Sequence, residues 1–86
     1  MNELLNALIK RAEDFGLNSL DVYHSREFLL HYEFELCLDQ VATQLYEFDL
    51  KIDLELYKLI IDISKKLKMD TEKYSFLIEL IKSDNH

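Results

Sequence analysis

Residues 27–50 read EFLLHYEFELCLDQVATQLYEFDL and contain six acidic residues but no Lys or Arg. Apolar residues recur in this stretch at three- and four-residue spacing, which is typical of an amphipathic α-helix. When the residues are placed on a helical wheel at about 100° each, the apolar ones form one stripe. It contains Phe34, Cys37, Val41, Leu45 and Phe48, with Leu38 beside them. The stretch therefore predicts a long helix whose stripe packs into a core.

The outer side of this predicted helix is polar. Glu35, Asp39, Thr43 and Tyr46 fall on one flank, and Glu33, Gln40, Gln44 and Glu47 fall on the other. Leu36 lies almost opposite the apolar stripe, where a helix packed on one side should be polar. Two interpretations remain open for the acids, a solvated helix face or a surface that meets a basic partner. Leu36 is likewise compatible with packing against a neighbouring helix or with an exposed interface anchor.

The rest of the chain also predicts helices. It has no proline, and Gly16 is its only glycine, so few residues interrupt the helical periodicity. We expect an all-α fold, a small bundle of four to five helices, as a single domain over residues 1–86. The first helix should run from Asn2 to Phe15 and end where Gly16 adopts a left-handed cap.

The remaining helix boundaries depend on capping residues. Ser19 or Asp21 is expected to cap a second helix, Asp53 a helix over residues 54–68, and Asp70 a last helix over residues 71–82. For residues 22–48, the favoured interpretation is a short helix, then a junction near His31 and Tyr32, and then a helix over residues 32–48. A single continuous helix over residues 22–48 is the alternative, because no Gly or Pro decides between them.

Apolar stripes identify the expected packing faces of the last two helices. Leu56, Ile60, Ile63 and Leu67 form one stripe, broadened by further apolar residues, which predicts a central position for the helix over residues 54–68. The inner face of the last helix is predicted to contain Tyr74, Leu77, Ile78 and Ile81. Among the tyrosines, only Tyr32 and Tyr46 are expected to point outward.

The distribution of charged residues restricts the kind of partner that the protein can bind. The formal net charge is −7, and outside residues 27–50 the chain has 11 acids against 10 bases, so the asymmetry lies in that stretch. A concentrated negative field opposes direct binding of nucleic acid, whose phosphates require Lys and Arg. It favours a basic protein partner that is attracted electrostatically.

Several observations predict a soluble cytoplasmic protein without an active site. Cys37 is the only cysteine, so it has no intramolecular disulfide partner, and it lies on an apolar stripe. Glu3 stands where a signal peptide would be positive, and no aliphatic run reaches the roughly 18 residues of a membrane span. We expect no enzymatic activity and no cofactor, because Cys37 is the only candidate nucleophile and no glycine-rich loop is present.

A metal site is a weaker interpretation. On a continuous helix, His24, Glu27, His31 and Glu35 would share one face. The His-x-x-Glu pair is common, and no second Glu-x-x-His element complements it as di-iron bundles require. A solvated polar edge is favoured, and no metal is predicted.

Residues 31–81 also resemble the small Maf-type immunity proteins of polymorphic toxin and contact-dependent growth inhibition systems. The resemblance lies in Glu33, in LYEFD at residues 45–49, in the break before LELY at residues 54–57, and in Tyr74. It implies a cytoplasmic protein that binds and neutralises a cognate toxin domain, expected to be a ribonuclease. We expect a 1:1 complex and, from the charge and the hydropathy of the chain, no contact with nucleic acid or membrane.

Charge and resemblance together yield a predicted interface. Its charge contacts are Glu35, Asp39, Glu47 and Asp49, its anchors are Leu36 and Tyr46, and Thr43 lies among them. Glu33 is not included in the predicted interface. A carboxylate at a helix start interacts favourably with the exposed N–H groups, so a structural role would explain this residue. The alternative function is an acidic helical adaptor or regulatory module whose protein partner is not a toxin.

Overall fold

The computed structural model describes residues 1–82 and contains four α-helices followed by one 3₁₀ helix. They are α1 (Asn2–Asp14), α2 (Ser19–Leu30), α3 (Phe34–Glu47), α4 (Leu54–Lys66) and the 3₁₀ helix (Thr71–Leu80). The prediction of an all-α fold with four to five helices is confirmed. The junction near Tyr32 is confirmed as well, since α2 ends before it and α3 begins after it.

All four α-helices end in the same way. The residue after each C-cap adopts a positive φ, at Gly16, Tyr32, Asp49 and Lys68. In each case its N–H and the next N–H donate to carbonyls of the last helical turn, as Tyr32 does to Leu29 and Glu33 does to Phe28. This is the Schellman motif, which satisfies the free carbonyls at a helix end. The predicted left-handed Gly16 is confirmed, with φ 116°.

Side-chain caps define the helix starts. Asp53 accepts a hydrogen bond from the Leu56 N–H at 2.7 Å, and Asp70 accepts one from the Glu72 N–H at 3.0 Å, so both predicted caps are confirmed. The prediction for α2 was wrong. Asn18 is its cap and accepts from the Asp21 N–H at 2.8 Å, because Asn18 has the extended backbone that a cap requires whereas Ser19 is already helical.

The helix that contacts every other element is α3. It packs against α1, α2, α4 and the 3₁₀ helix, whereas α4 contacts α1, α3 and the 3₁₀ helix, so the predicted central position belongs to α3. Cys37, Val41 and Leu45 are fully buried, as the stripe predicts. Phe48 is exposed, contrary to prediction, because α3 ends at Glu47 and the chain reverses immediately after Phe48.

The C-terminal helix has a different periodicity from the one predicted. Its buried residues are Tyr74, Leu77 and Leu80, which follow the three-residue repeat of a 3₁₀ helix. Ile78, predicted on the inner face from an α-helical repeat, is exposed. The end of this helix is fixed by Ile52, whose N–H donates to the Leu80 carbonyl at 2.9 Å and whose carbonyl accepts from Lys82 N–H at 2.7 Å.

Candidate functional site on the outer surface of α3

The predicted interface residues lie on α3 or immediately after it. Glu35, Leu36, Thr43, Tyr46, Glu47 and Asp49 are exposed, whereas Asp39 is half-buried. Leu36 is 48% exposed and Tyr46 is 42% exposed, which is a large fraction for apolar side chains on the helix that forms the centre of the fold. We call this set of seven residues the α3 surface.

Asp39 differs from the sequence-based expectation of an unpaired acid. Its carboxylate accepts a hydrogen bond from the Tyr74 hydroxyl at 2.9 Å, and Lys73 Nζ lies 3.6 Å away. Burial raises the pKa of the Tyr74 phenol, and the hydrogen bond to Asp39 and the negative charges of Asp39 and Glu35 raise it further. One acid of the α3 surface is therefore partly neutralised from within the chain.

Tyr46 is held in place by the 3₁₀ helix. Its ring meets Phe76 edge to face, with centroids 5.0 Å apart and an interplanar angle of 83°. Such edge-to-face pairs are favoured by the aromatic quadrupole. Tyr46 therefore presents a partly exposed aromatic surface that is already oriented before any partner binds.

The opposite flank of α3 packs against α2. The side-chain amides of Gln40 and Gln44 donate to the Asp21 carboxylate at 3.2 Å and 3.1 Å, and Asp21 is buried. Sequence reasoning placed both glutamines on a solvent-facing flank and missed this interhelical network. The available signal was the four-residue spacing of the two glutamines, which places their amides side by side on one face of α3.

Leu36 lies on the outermost side of α3, between the flank that carries Asp39 and Tyr46 and the flank that carries Gln40 and Gln44. It borders one surface depression together with Tyr32 and Leu67, and a second together with Phe28 and Thr43. It is accessible from solvent and not enclosed by a neighbouring helix. The α3 surface thus combines an aliphatic anchor at its centre with an aromatic one towards its C-terminal end.

The remaining acids differ in their pairing. Asp49 lies 3.3 Å from Lys51 Nζ in an exposed ion pair, and such pairs contribute little. Within residues 1–82, no ion pair involves Glu35 or Glu47. Glu33 occupies the N-cap position of α3 and makes no side-chain cap hydrogen bond.

The groups that the sequence offered for metal binding or nucleophilic attack are separated or buried in the described residues. Across residues 1–82, no cluster of three or more His, Cys, Asp or Glu side chains is arranged to hold a metal ion. The helical spacing that would align His24 with Glu35 is interrupted, because the two residues belong to different helices. Cys37 is fully buried, and burial raises the pKa of its thiol to about 11 against the opposing effect of Arg26.

Comparison with known proteins identifies no relative: no protein-family model, curated protein or solved structure matches the chain. Among the helices of residues 1–82, none combines the length and the apolar character needed to cross a membrane. Function is therefore inferred from the residues and the geometry of this chain.

Proposed function

We propose that this protein is a cytoplasmic immunity protein that binds and neutralises a cognate toxin domain, a basic ribonuclease, through the α3 surface. The observation that carries the proposal is the placement of two accessible anchors, Leu36 and Tyr46, beside Glu35 and Glu47, which have no ion pair within residues 1–82. The resemblance of residues 31–81 to Maf-type immunity proteins supports the class of partner.

Electrostatics supports a cationic partner. A domain that cleaves RNA needs Lys and Arg around its active site to hold the phosphates. The protein has a net charge of −7, and no base lies between residues 27 and 50. Carboxylates on the α3 surface can occupy the positions of RNA phosphates, and the long-range attraction between the two proteins raises their association rate.

Affinity requires more than charge. Acidic residues at the rim of an interface mainly change the association rate, whereas buried aromatic and aliphatic anchors slow dissociation. Tyr46 suits this role because Phe76 already holds its ring, so little conformational freedom is lost on binding. Leu36 adds an apolar contact at the centre of the surface. The proposed complex is 1:1 and excludes the RNA from the toxin.

The proposal is tested by binding to the C-terminal domain of the toxin encoded beside this protein, inactivated by mutation. Glu35→Gln with Glu47→Gln should lower the association rate about tenfold at low salt, and the loss should shrink as salt is raised. Glu13→Gln with Glu79→Gln is the matched control, since it makes the same charge change at exposed positions on α1 and the 3₁₀ helix.

Two results would contradict the proposal. If the neighbouring gene encodes no basic nuclease-like domain, or if its purified domain fails to bind the wild-type protein, the partner is of another class and the adaptor interpretation is favoured. If both charge-neutralised variants associate equally well at every salt concentration, the α3 surface is not the interface.

A further inference from the structure

A second surface with unused apolar side chains lies on α2. Leu20, Tyr23 and Leu30 are 62%, 59% and 71% exposed. The expectation that only Tyr32 and Tyr46 point outward among the tyrosines was therefore wrong for Tyr23. The spacing of Leu20, Tyr23 and Leu30 places them on one side of the helix, away from the buried residues Asp21, Val22, Ser25 and Leu29. The helix therefore has apolar residues on its exposed side as well as on its buried side, so its exposed side is available for packing against a partner.

The apolar face of α2 continues into the junction that follows it. Tyr32 is 73% exposed and adopts the left-handed conformation with φ 58°. It borders one depression with Leu30 of α2 and another with Leu36 of α3. We call Leu20, Tyr23, Leu30 and Tyr32 the α2 strip, whose Tyr32 end adjoins the α3 surface at Leu36.

The rest of the described chain leaves the α2 strip accessible. Over residues 1–82, the elements packed against α2 are α1 and α3, and they cover its other side. Four large apolar side chains are exposed along α2 and its junction with α3, and such a concentration of exposed apolar residues is typical of an interaction site.

The charges around the strip indicate what covers it. Glu27 lies within the face, between Tyr23 and Leu30, and Glu33 and Glu35 flank the depression that contains Tyr32. The base on this part of α2 is Arg26, whose guanidinium donates to Asn6 at 3.2 Å. An occupant with apolar side chains and a surplus of Lys and Arg complements this rim, whereas a second copy would bring like carboxylates to it.

We propose that the α2 strip is the main affinity-determining contact for the basic ribonuclease domain, an inference that rests on the proposed function. A segment of the toxin that presents apolar residues flanked by Lys or Arg packs on the strip. The α3 surface then accelerates association through its charge and adds its own anchors, Leu36 and Tyr46, and the α2 strip supplies the larger part of the apolar contact that slows dissociation. Tyrosine and leucine side chains fit this role, because desolvated apolar anchors contribute most of the binding energy in protein interfaces.

Dissociation kinetics test the inference, with the inactivated C-terminal toxin domain as the probe. Tyr23→Gln with Leu30→Gln should raise the dissociation rate about 30-fold and change the association rate about twofold or less. The matched control is Leu54→Gln with Ile78→Gln, which makes the same kind of change at two exposed apolar residues on α4 and the 3₁₀ helix. Circular dichroism verifies that each variant folds, and the control should dissociate at the wild-type rate.

Each other outcome overturns a defined part of the account. If the wild-type protein binds the toxin domain and the α2 variant dissociates at the same rate, the α2 strip does not contribute to affinity. The proposed function then still stands. Absence of wild-type binding overturns both. If size-exclusion chromatography shows a wild-type dimer that the α2 variant abolishes, a second copy of this chain is the occupant and the proposed partner for the strip is wrong.

Discussion

The Tyr74 hydroxyl donates a 2.9 Å hydrogen bond to the Asp39 carboxylate, linking the 3₁₀ helix to the outer flank of α3. Tyr74 is buried and Asp39 is half-buried, so the bond lies at the boundary between core and surface. It gives one acid of the α3 surface a structural role. Asp39 therefore has a role in the stability of the fold and a proposed role in partner binding. Substitutions of Asp39 or Tyr74 distinguish these two roles.

Tyr74→Phe should destabilise the protein by about 1 kcal/mol, because it removes the donor to a carboxylate that water can still reach. The measurement is the midpoint of urea unfolding followed by circular dichroism. Tyr57→Phe is the matched control, since the described hydrogen bonds include none from the Tyr57 hydroxyl, and it should be nearly neutral. Equal midpoints for wild type and Tyr74→Phe would show that the bond contributes nothing to stability.

Cys37 should make stability depend on pH in the alkaline range. Burial raises its pKa from 9.0 to about 11, so the folded protein keeps the thiol proton that the unfolded chain releases. Its stabilising contribution is complete below pH 9 and is lost as pH rises towards 11. Urea midpoints measured from pH 8 to 11 should fall more steeply for wild type than for Cys37→Ala. Parallel slopes would contradict this effect.

Replacing Lys68 by glycine should increase the stability of the protein. Lys68 is exposed, and its φ of 60° costs an ordinary residue roughly 1 kcal/mol that glycine avoids. Lys68→Gly should therefore raise the free energy of unfolding by up to about 1 kcal/mol. Lys58→Gly, at an exposed position inside α4, should lower it by about the same amount. Thermal unfolding of both variants measures the difference, and destabilisation by Lys68→Gly would contradict the assigned end of α4.

The buried Asp21 carboxylate should make Gln44 important for stability. Gln44 donates to both of its oxygens at 3.1 Å, and its loss leaves a buried charge with fewer partners. Gln44→Ala should destabilise the protein by about 2 kcal/mol, measured by urea unfolding. Thr43→Ala, on the exposed side of the same helix, is the control and should change stability by about 0.5 kcal/mol or less. Equal stabilities would show that Asp21 does not depend on this contact.

The helices were largely predictable because their starts carry local signals. Asp53 and Asp70 cap through their own side chains, and Gly16 ends α1 as a glycine commonly does. The ends of α2 and α4 carry no glycine, and tyrosine and lysine rarely adopt the positive φ that Tyr32 and Lys68 have there, so the sequence predicted a junction near Tyr32 but not the form of either helix end. The 3₁₀ periodicity of the last helix was also hidden, because Ile78 and Leu80 are equally apolar and only the backbone decides which is buried.

The candidate site was predictable in position but not in detail. The face of α3 that carries Leu36 and Tyr46 follows from helical periodicity, and both side chains are exposed there. The pairing of Asp39 with Tyr74 joins residues 35 positions apart in the chain, which no local pattern reveals. The α2 strip was missed because a helix with apolar residues on both sides gives no clear indication of which side is buried.

RNA cleavage by the proposed partner, an active basic nuclease-like domain encoded by an adjacent gene, tests the proposed function most directly when it is titrated with this protein. The wild-type protein should abolish cleavage at one equivalent. The variant with Glu35→Gln and Glu47→Gln should need an excess that grows with salt concentration. Undiminished cleavage in the presence of excess folded wild-type protein would contradict the account.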